Sequence, residues 1–135
     1  MTSHFDDVIA MAKQQDEPQR MLFVLAKTDS KELGHGGQRS GTIQPVIYVD
    51  KLPDEIESFE SLVAEADQLT SDWDMMLCAG LGGAQGKAPT SSDAEPHLNK
   101  MVEDVRSGQD LSRYVILDRD ACVVNMQLQQ VLVRH

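Results

Sequence analysis

The stretch Gly80-Leu81-Gly82-Gly83-Ala84-Gln85-Gly86-Lys87-Ala88-Pro89-Thr90-Ser91-Ser92 is the part of this sequence best suited to chemistry. An apolar run enters it and a capped helical pattern leaves it. A strand, a glycine loop and a helix N-terminus together offer backbone N–H groups to an anion. Gly82, Gly83, Gly86, Lys87, Ser91 and Ser92 are therefore the candidate ligand-binding residues of the loop.

Two familiar phosphate motifs fail here. A P-loop needs G-x-x-x-x-G-K-[ST]; Gly86-Lys87 is present, but Leu81 stands at the first position and Ala88 at the last. The hydroxyl that would meet Mg²⁺ is missing. The dinucleotide pattern G-x-G-x-x-G breaks at Gln85. A looser backbone nest remains compatible with these residues. Catalytic sets are weaker still. There is no G-x-S-x-G elbow. Ser91 and Ser92 have His97 nearby in sequence but no evident third partner. Asp118 and Asp120 flank a turn, where carboxylates ordinarily serve turn chemistry. The scattered histidines His4, His35, His97 and His135 lack metal-ligand spacing, so no metal site is expected. No cofactor is implied.

The elements that must position these residues follow from periodicity. Residues 3–15 carry Phe5, Val8, Ile9 and Ala12 at helical spacing. Met21-Leu22-Phe23-Val24-Leu25-Ala26 is apolar without alternation, which predicts a strand covered on both faces. Residues 29–42 read as a polar glycine-rich loop, and 43–50 as a second strand with Pro45 near its start. Pro53 opens a predicted helix, with Ile56, Phe59, Leu62, Val63, Ala66 and Leu69 as its buried stripe. Strand three spans 73–79. A helix follows from about Asp93 to Ser107, with Asp93 as cap so that Pro96 falls harmlessly in the first turn. Residues 113–118 and the alternating 122–128 complete the set.

The expected fold is therefore α/β: one domain over 1–135, order αββαβαββ, with three helices on a mixed, mostly parallel five-stranded sheet. Two overlapping βαβ crossovers, 43–79 and 73–118, make strands two to four parallel. The carboxyl ends of those strands then converge. Lys51, Lys87 and Arg119 would form a basic island beside loop 80–92 and take an anionic ligand. The 29–42 loop falls at the opposite edge of the sheet.

Composition narrows the function. The net charge of −10 disfavours nucleic acid and anionic membranes as partners. Residues 53–74 hold Asp54, Glu55, Glu57, Glu60, Glu65, Asp67, Asp72 and Asp74 without a Lys or Arg. That is a solvated helix face or a docking face for a basic partner. There is no apolar run long enough to span a bilayer and no basic n-region at the start, so a cytoplasmic location is the expectation. Cys78 and Cys122 lie in apolar strand-like runs and read as buried, reduced thiols.

The strings Glu17-Pro18-Gln19-Arg20-Met21-Leu22-Phe23-Val24, Asp72-Trp73-Asp74 and Ala88-Pro89-Thr90-Ser91-Ser92-Asp93-Ala94-Glu95-Pro96, with Met101-Val102, resemble a group of small bacterial proteins. Some members of that group carry the label "ribonucleotide reductase subunit alpha". The resemblance implies an association with nucleotide metabolism and brings no catalytic residues. Reduction itself needs a large barrel with several active-site cysteines, and 135 residues with two cysteines cannot hold one.

Two functions fit. One is a non-catalytic binding or regulatory module that engages a protein partner, or itself, through the acidic helix or a sheet edge. The other is a binder or enzyme for a nucleotide or phosphorylated metabolite at loop 80–92.

Overall fold

The structure is a computed structural model and describes residues 4–32, 39–107, 111 and 114–124. Its elements are α1 (His4–Lys13), β1 (Gln19–Glu32), β2 (Arg39–Lys51), a 3-10 turn (Pro53–Glu55), α2 (Phe59–Leu69), β3 (Met75–Gly82), α3 (Ser91–Ser107) and β4 (Val115–Leu117). The α/β class and the three helices match expectation. The sheet does not: among the described residues it has four strands in the order β2-β1-β3-β4, and every neighbouring pair is antiparallel.

The physical reason lies in β1. Its residues 21–26 are buried on both faces, so β1 takes a central lane. After the β1–β2 hairpin closes one side, the other edge of β1 is open. β3 pairs there, with Gln19 opposite Gly82 and Ala26 opposite Met75. β2 and β3 do run parallel to each other, as the helical crossover requires, but β1 lies between them. β4 then pairs antiparallel with β3, Cys78 opposite Val115. A helical connection does not impose direction when chain remains after it. Residues 108–114 can span roughly 20 Å before β4 begins. The expected fifth strand is represented by one antiparallel bridge, Leu117 to Val123, and a bond from the Val124 amide to the Ile116 carbonyl at 2.8 Å. Residues 125–128 lie outside the described residues.

Helices cover both faces of the sheet. Odd-numbered β1 residues Met21, Phe23 and Leu25 pack with Phe5 and Ile9 of α1 and with Phe59, Leu62 and Ala66 of α2. Phe5 stands edge-on to Phe59, ring centroids 5.2 Å apart. Even-numbered Leu22, Val24 and Ala26 pack with Ala94, Leu98, Met101 and Val105 of α3. The strand period of two thus sorts one apolar run into two cores.

Four local expectations shift. The helix expected from Pro53 is interrupted: Pro53–Glu55 forms a single 3-10 turn, and α2 starts afresh at Phe59, capped by Ser58, whose hydroxyl accepts the Ser61 amide at 3.0 Å. Leu69, expected on the buried stripe, is 69% exposed at the last turn. α3 starts earlier than expected. Thr90 and Asp93 exchange side-chain bonds with each other's amides at 3.1 and 3.0 Å, so Thr90 is the cap and Pro96 lies inside the helix. Much of the expected 29–42 loop is ladder instead: the hairpin register continues to Glu32 opposite Arg39. Residues 33–38 lie outside the described residues.

Candidate functional site

The glycine loop is a tight hairpin. Gln85 (φ 55°) and Gly86 (φ 77°) occupy consecutive left-handed positions, the signature of a type I′ turn. Ala84 and Lys87 exchange both backbone bonds across it, at 3.1 and 3.0 Å. Gly83 is required by close approach: a Cβ there would stand 1.9 Å from the Lys87 carbonyl oxygen.

The amides this loop was expected to present to a ligand have protein acceptors. The Gly83 amide reaches the Pro18 carbonyl at 2.9 Å, and the Gly86 amide reaches the Glu17 carboxylate at 2.9 Å. The protein's own carboxylate sits where an anion would. The helix N-terminus is filled in a similar way. Ser91, the first residue of α3, donates its hydroxyl to Asp50 Oδ2 at 2.7 Å and accepts from Arg20 Nη2 at 2.7 Å. Arg20 Nε bonds the same Asp50 oxygen at 2.5 Å, and Nη1 reaches the Pro89 carbonyl at 3.3 Å. Burial raises the Asp50 carboxyl pKa, but the bonds from Ser91 and Arg20 and the guanidinium charge outweigh it, leaving Asp50 below its ordinary value. Such a carboxylate is a weak base. The triad of contacts clamps the loop to the ends of β1 and β2 rather than activating Ser91.

The expected basic island is dispersed. Lys51 faces α2 and pairs with Glu65 at 3.0 Å. Lys87 is exposed beside the turn, without an ion pair among the described residues. Arg119 lies at the other edge of the sheet, because β4 runs toward the start of β3. There it pairs with Asp67 at 2.7 Å, donates to the Trp73 carbonyl at 3.0 Å and stacks 4.1 Å above the Trp73 ring. Gly82, Gly83, Gly86, Lys87, Ser91 and Ser92 remain at the Lys51 edge, with Gly82 ending β3 and Ser92 exposed in the first turn of α3. Sequence reasoning missed Arg20 and Glu17. The available signal for Arg20 was its even-numbered place on β1, which puts it on the same face as Leu22 and opposite the α3 helix.

The acidic segment 53–74 is largely committed within the protein. Asp54 pairs with Lys13, Glu65 with Lys51, Asp67 with Arg119 and Asp72 with Lys27. Glu55 accepts the Leu52 amide, and Asp74 takes both the amide and the hydroxyl of Thr28. Glu57 and Glu60 carry no such contact among the described residues.

Among the described residues, the β2 edge of the sheet also carries unspent backbone hydrogen-bonding groups. Among the described residues, β2 is outermost and pairs with β1 alone. The direction of its groups follows from β1. Pro18 and Ala26 accept amides on the β3 side, at 2.9 Å each, and Thr28 donates to Asp74 on that side at 3.0 Å. Even-numbered β1 residues therefore face β3, and odd-numbered ones face β2. Tyr48 lies opposite Val24, and Asp50 opposite Leu22. Both point their backbone N–H and C=O away from β1, out of the sheet. The register slips between Leu25 and Ala26, making Val46 the extra residue of a bulge. Pro45, opposite Ala26, then takes an outward place without an N–H to offer. Tyr48 is 44% exposed beside this edge.

Among the described residues, no cluster of His, Cys, Asp or Glu could hold a metal ion, and no helix is long and apolar enough to cross a membrane. The chain matches no known protein family, no characterised protein and no solved structure.

Proposed function

We propose that this protein is a non-catalytic interaction module that takes on an additional strand at the outer edge of β2. The carrying observation is the outward-facing backbone of Tyr48 and Asp50 on a strand that, among the described residues, is paired on one side only. Edge strands with free N–H and C=O groups are ready templates for another chain. The edge is favoured over the acidic helix because six of the eight carboxylates in 53–74 already have partners inside the protein. It is favoured over loop 80–92 because the amides of Gly83 and Gly86 and the hydroxyl of Ser91 are likewise engaged.

The test is Tyr48→Pro. That amide lies outside the β1–β2 ladder, so the circular dichroism spectrum is expected to stay unchanged while association is lost. Association is read by light scattering for self-association and by co-purification for other partners. Binding that ignores Tyr48→Pro and disappears at high salt would move the interaction to Glu57 and Glu60 and refute the edge reading.

A further inference from the structure

Resting on the edge reading, we infer that the strand added at β2 is β2 of a second copy, paired antiparallel about a two-fold axis through Val49. The outward groups of Tyr48 and Asp50 are complementary in that register. Tyr48 of each copy falls opposite Asp50 of the other, so each N–H meets the other residue's C=O. Two residues per chain supply four backbone bonds.

Other registers are worse. Centring on Asp50 sets two carboxylates against each other, which destabilises a cross-strand pair. Centring on Tyr48 sends the outward groups of Asp50 to Val46, the bulge residue, where the ladder is irregular. In the Val49 register Lys51 falls opposite Ile47, and no like charges meet. Pro45, which lacks an outward donor, lies beyond the paired residues 47–51.

The charge distribution fits this occupant. The whole chain carries −10, yet residues 45–51 hold one Asp and one Lys. The contact stretch is locally neutral within a protein that otherwise repels its own copy. An isologous pair of this kind closes on itself and makes one continuous eight-stranded antiparallel sheet from two four-stranded ones.

The experiment combines mass and cross-linking on the full chain. Light scattering is expected to give twice the 14.9 kDa chain mass, with dimer favoured as salt rises because the net repulsion is screened. In a Cys122→Ser background, Val49→Cys is expected to form a covalent dimer under mild oxidation. Residues directly opposite in a non-bonded antiparallel pair have Cα atoms about 4.5 Å apart, within disulfide reach. Gln44→Cys, far from the axis, is expected not to cross-link. A monomer at all concentrations up to hundreds of micromolar, or equal cross-linking at 44 and 49, overturns this inference. If another protein is still captured and Tyr48→Pro abolishes that capture, the edge reading survives without the dimer. If neither is seen, both fall.

Discussion

The Glu17 carboxylate accepts the Gly86 amide at 2.9 Å and so occupies the turn that looked most able to bind a foreign anion. Glu17 lies just before β1 and Gly86 lies beyond β3, so the bond ties the entry of one central strand to the exit of its neighbour. The same turn holds two glycines for different reasons, and their replacement separates those reasons.

Gly83→Ala is expected to cost more than Gly86→Ala. At Gly83 the new methyl meets a backbone carbonyl at 1.9 Å, and neither partner can move without breaking the hairpin. A cost of about 2–3 kcal/mol follows for overpacking of this kind. At Gly86 there is open space, and the penalty is the left-handed φ alone, about 1 kcal/mol. Urea unfolding of both variants measures the difference. Equal costs would show that the hairpin yields at Gly83.

Asp50 makes stability depend on pH in a stated direction. Its folded pKa lies below the ordinary value of 3.8, so its ionised form is favoured by folding. The contribution is fully present above the unfolded value and fades as pH falls through the lower folded value. Asp50→Asn is therefore expected to lower the melting temperature at pH 7, with the gap from the parent closing below about pH 4. A gap that is constant from pH 7 to pH 3 would remove Asp50 as its origin.

Arg119 holds the turn after β4 against α2. Asp67 bonds both the Trp73 indole N–H, at 3.0 Å, and Arg119, at 2.7 Å. The pair is about one-third exposed, so Arg119→Ala is expected to cost a modest 1–2 kcal/mol, roughly the sum of a charge-assisted bond and a cation–π contact. Trp73 is the single tryptophan, so its fluorescence reads the site directly. Arg119→Ala is expected to shift that emission to the red. Arg119→Lys is expected to keep charge but lose the stacked, two-pronged contact, and so to recover little.

The two cysteines are expected to react differently. Cys78 is buried, and burial pushes its thiol pKa up to about 12, so it stays protonated at neutral pH. Cys122 is exposed. A thiol reagent should therefore modify one cysteine in the native protein and two after unfolding. Two fast native equivalents would place Cys78 within reach of solvent. The sequence pattern treated both as buried. It succeeded for Cys78, whose neighbours Met76 and Leu77 are core, and failed for Cys122, which follows a turn held by Asp118 Oδ1 accepting the Asp120 and Cys122 amides.

Amino-acid order alone determined that β1 would be covered on both faces and where most of the helical and extended segments would fall. Those features rest on periodicity within a few residues: the unbroken apolar run of β1 and the stripe of Phe59, Leu62 and Ala66. The caps Ser58 and Thr90 were legible only in the structure, since Pro53 and Asp93 were expected to open those helices. Only the tertiary structure decided which strands are neighbours and which amides are already satisfied. The contacts that settle those points join Arg20 to Asp50, Asp67 to Arg119 and Glu17 to Gly86, separated by 30, 52 and 69 residues. Local spacing carries no record of such pairings. A helical crossover is compatible with a strand inserted between its two ends, and a glycine-rich turn is equally compatible with a ligand or with the carboxylate of Glu17. The antiparallel sheet, the dispersal of Lys51, Lys87 and Arg119, and the open edge at Tyr48 all follow from β1 taking the lane between β2 and β3 and β4 pairing antiparallel beside β3.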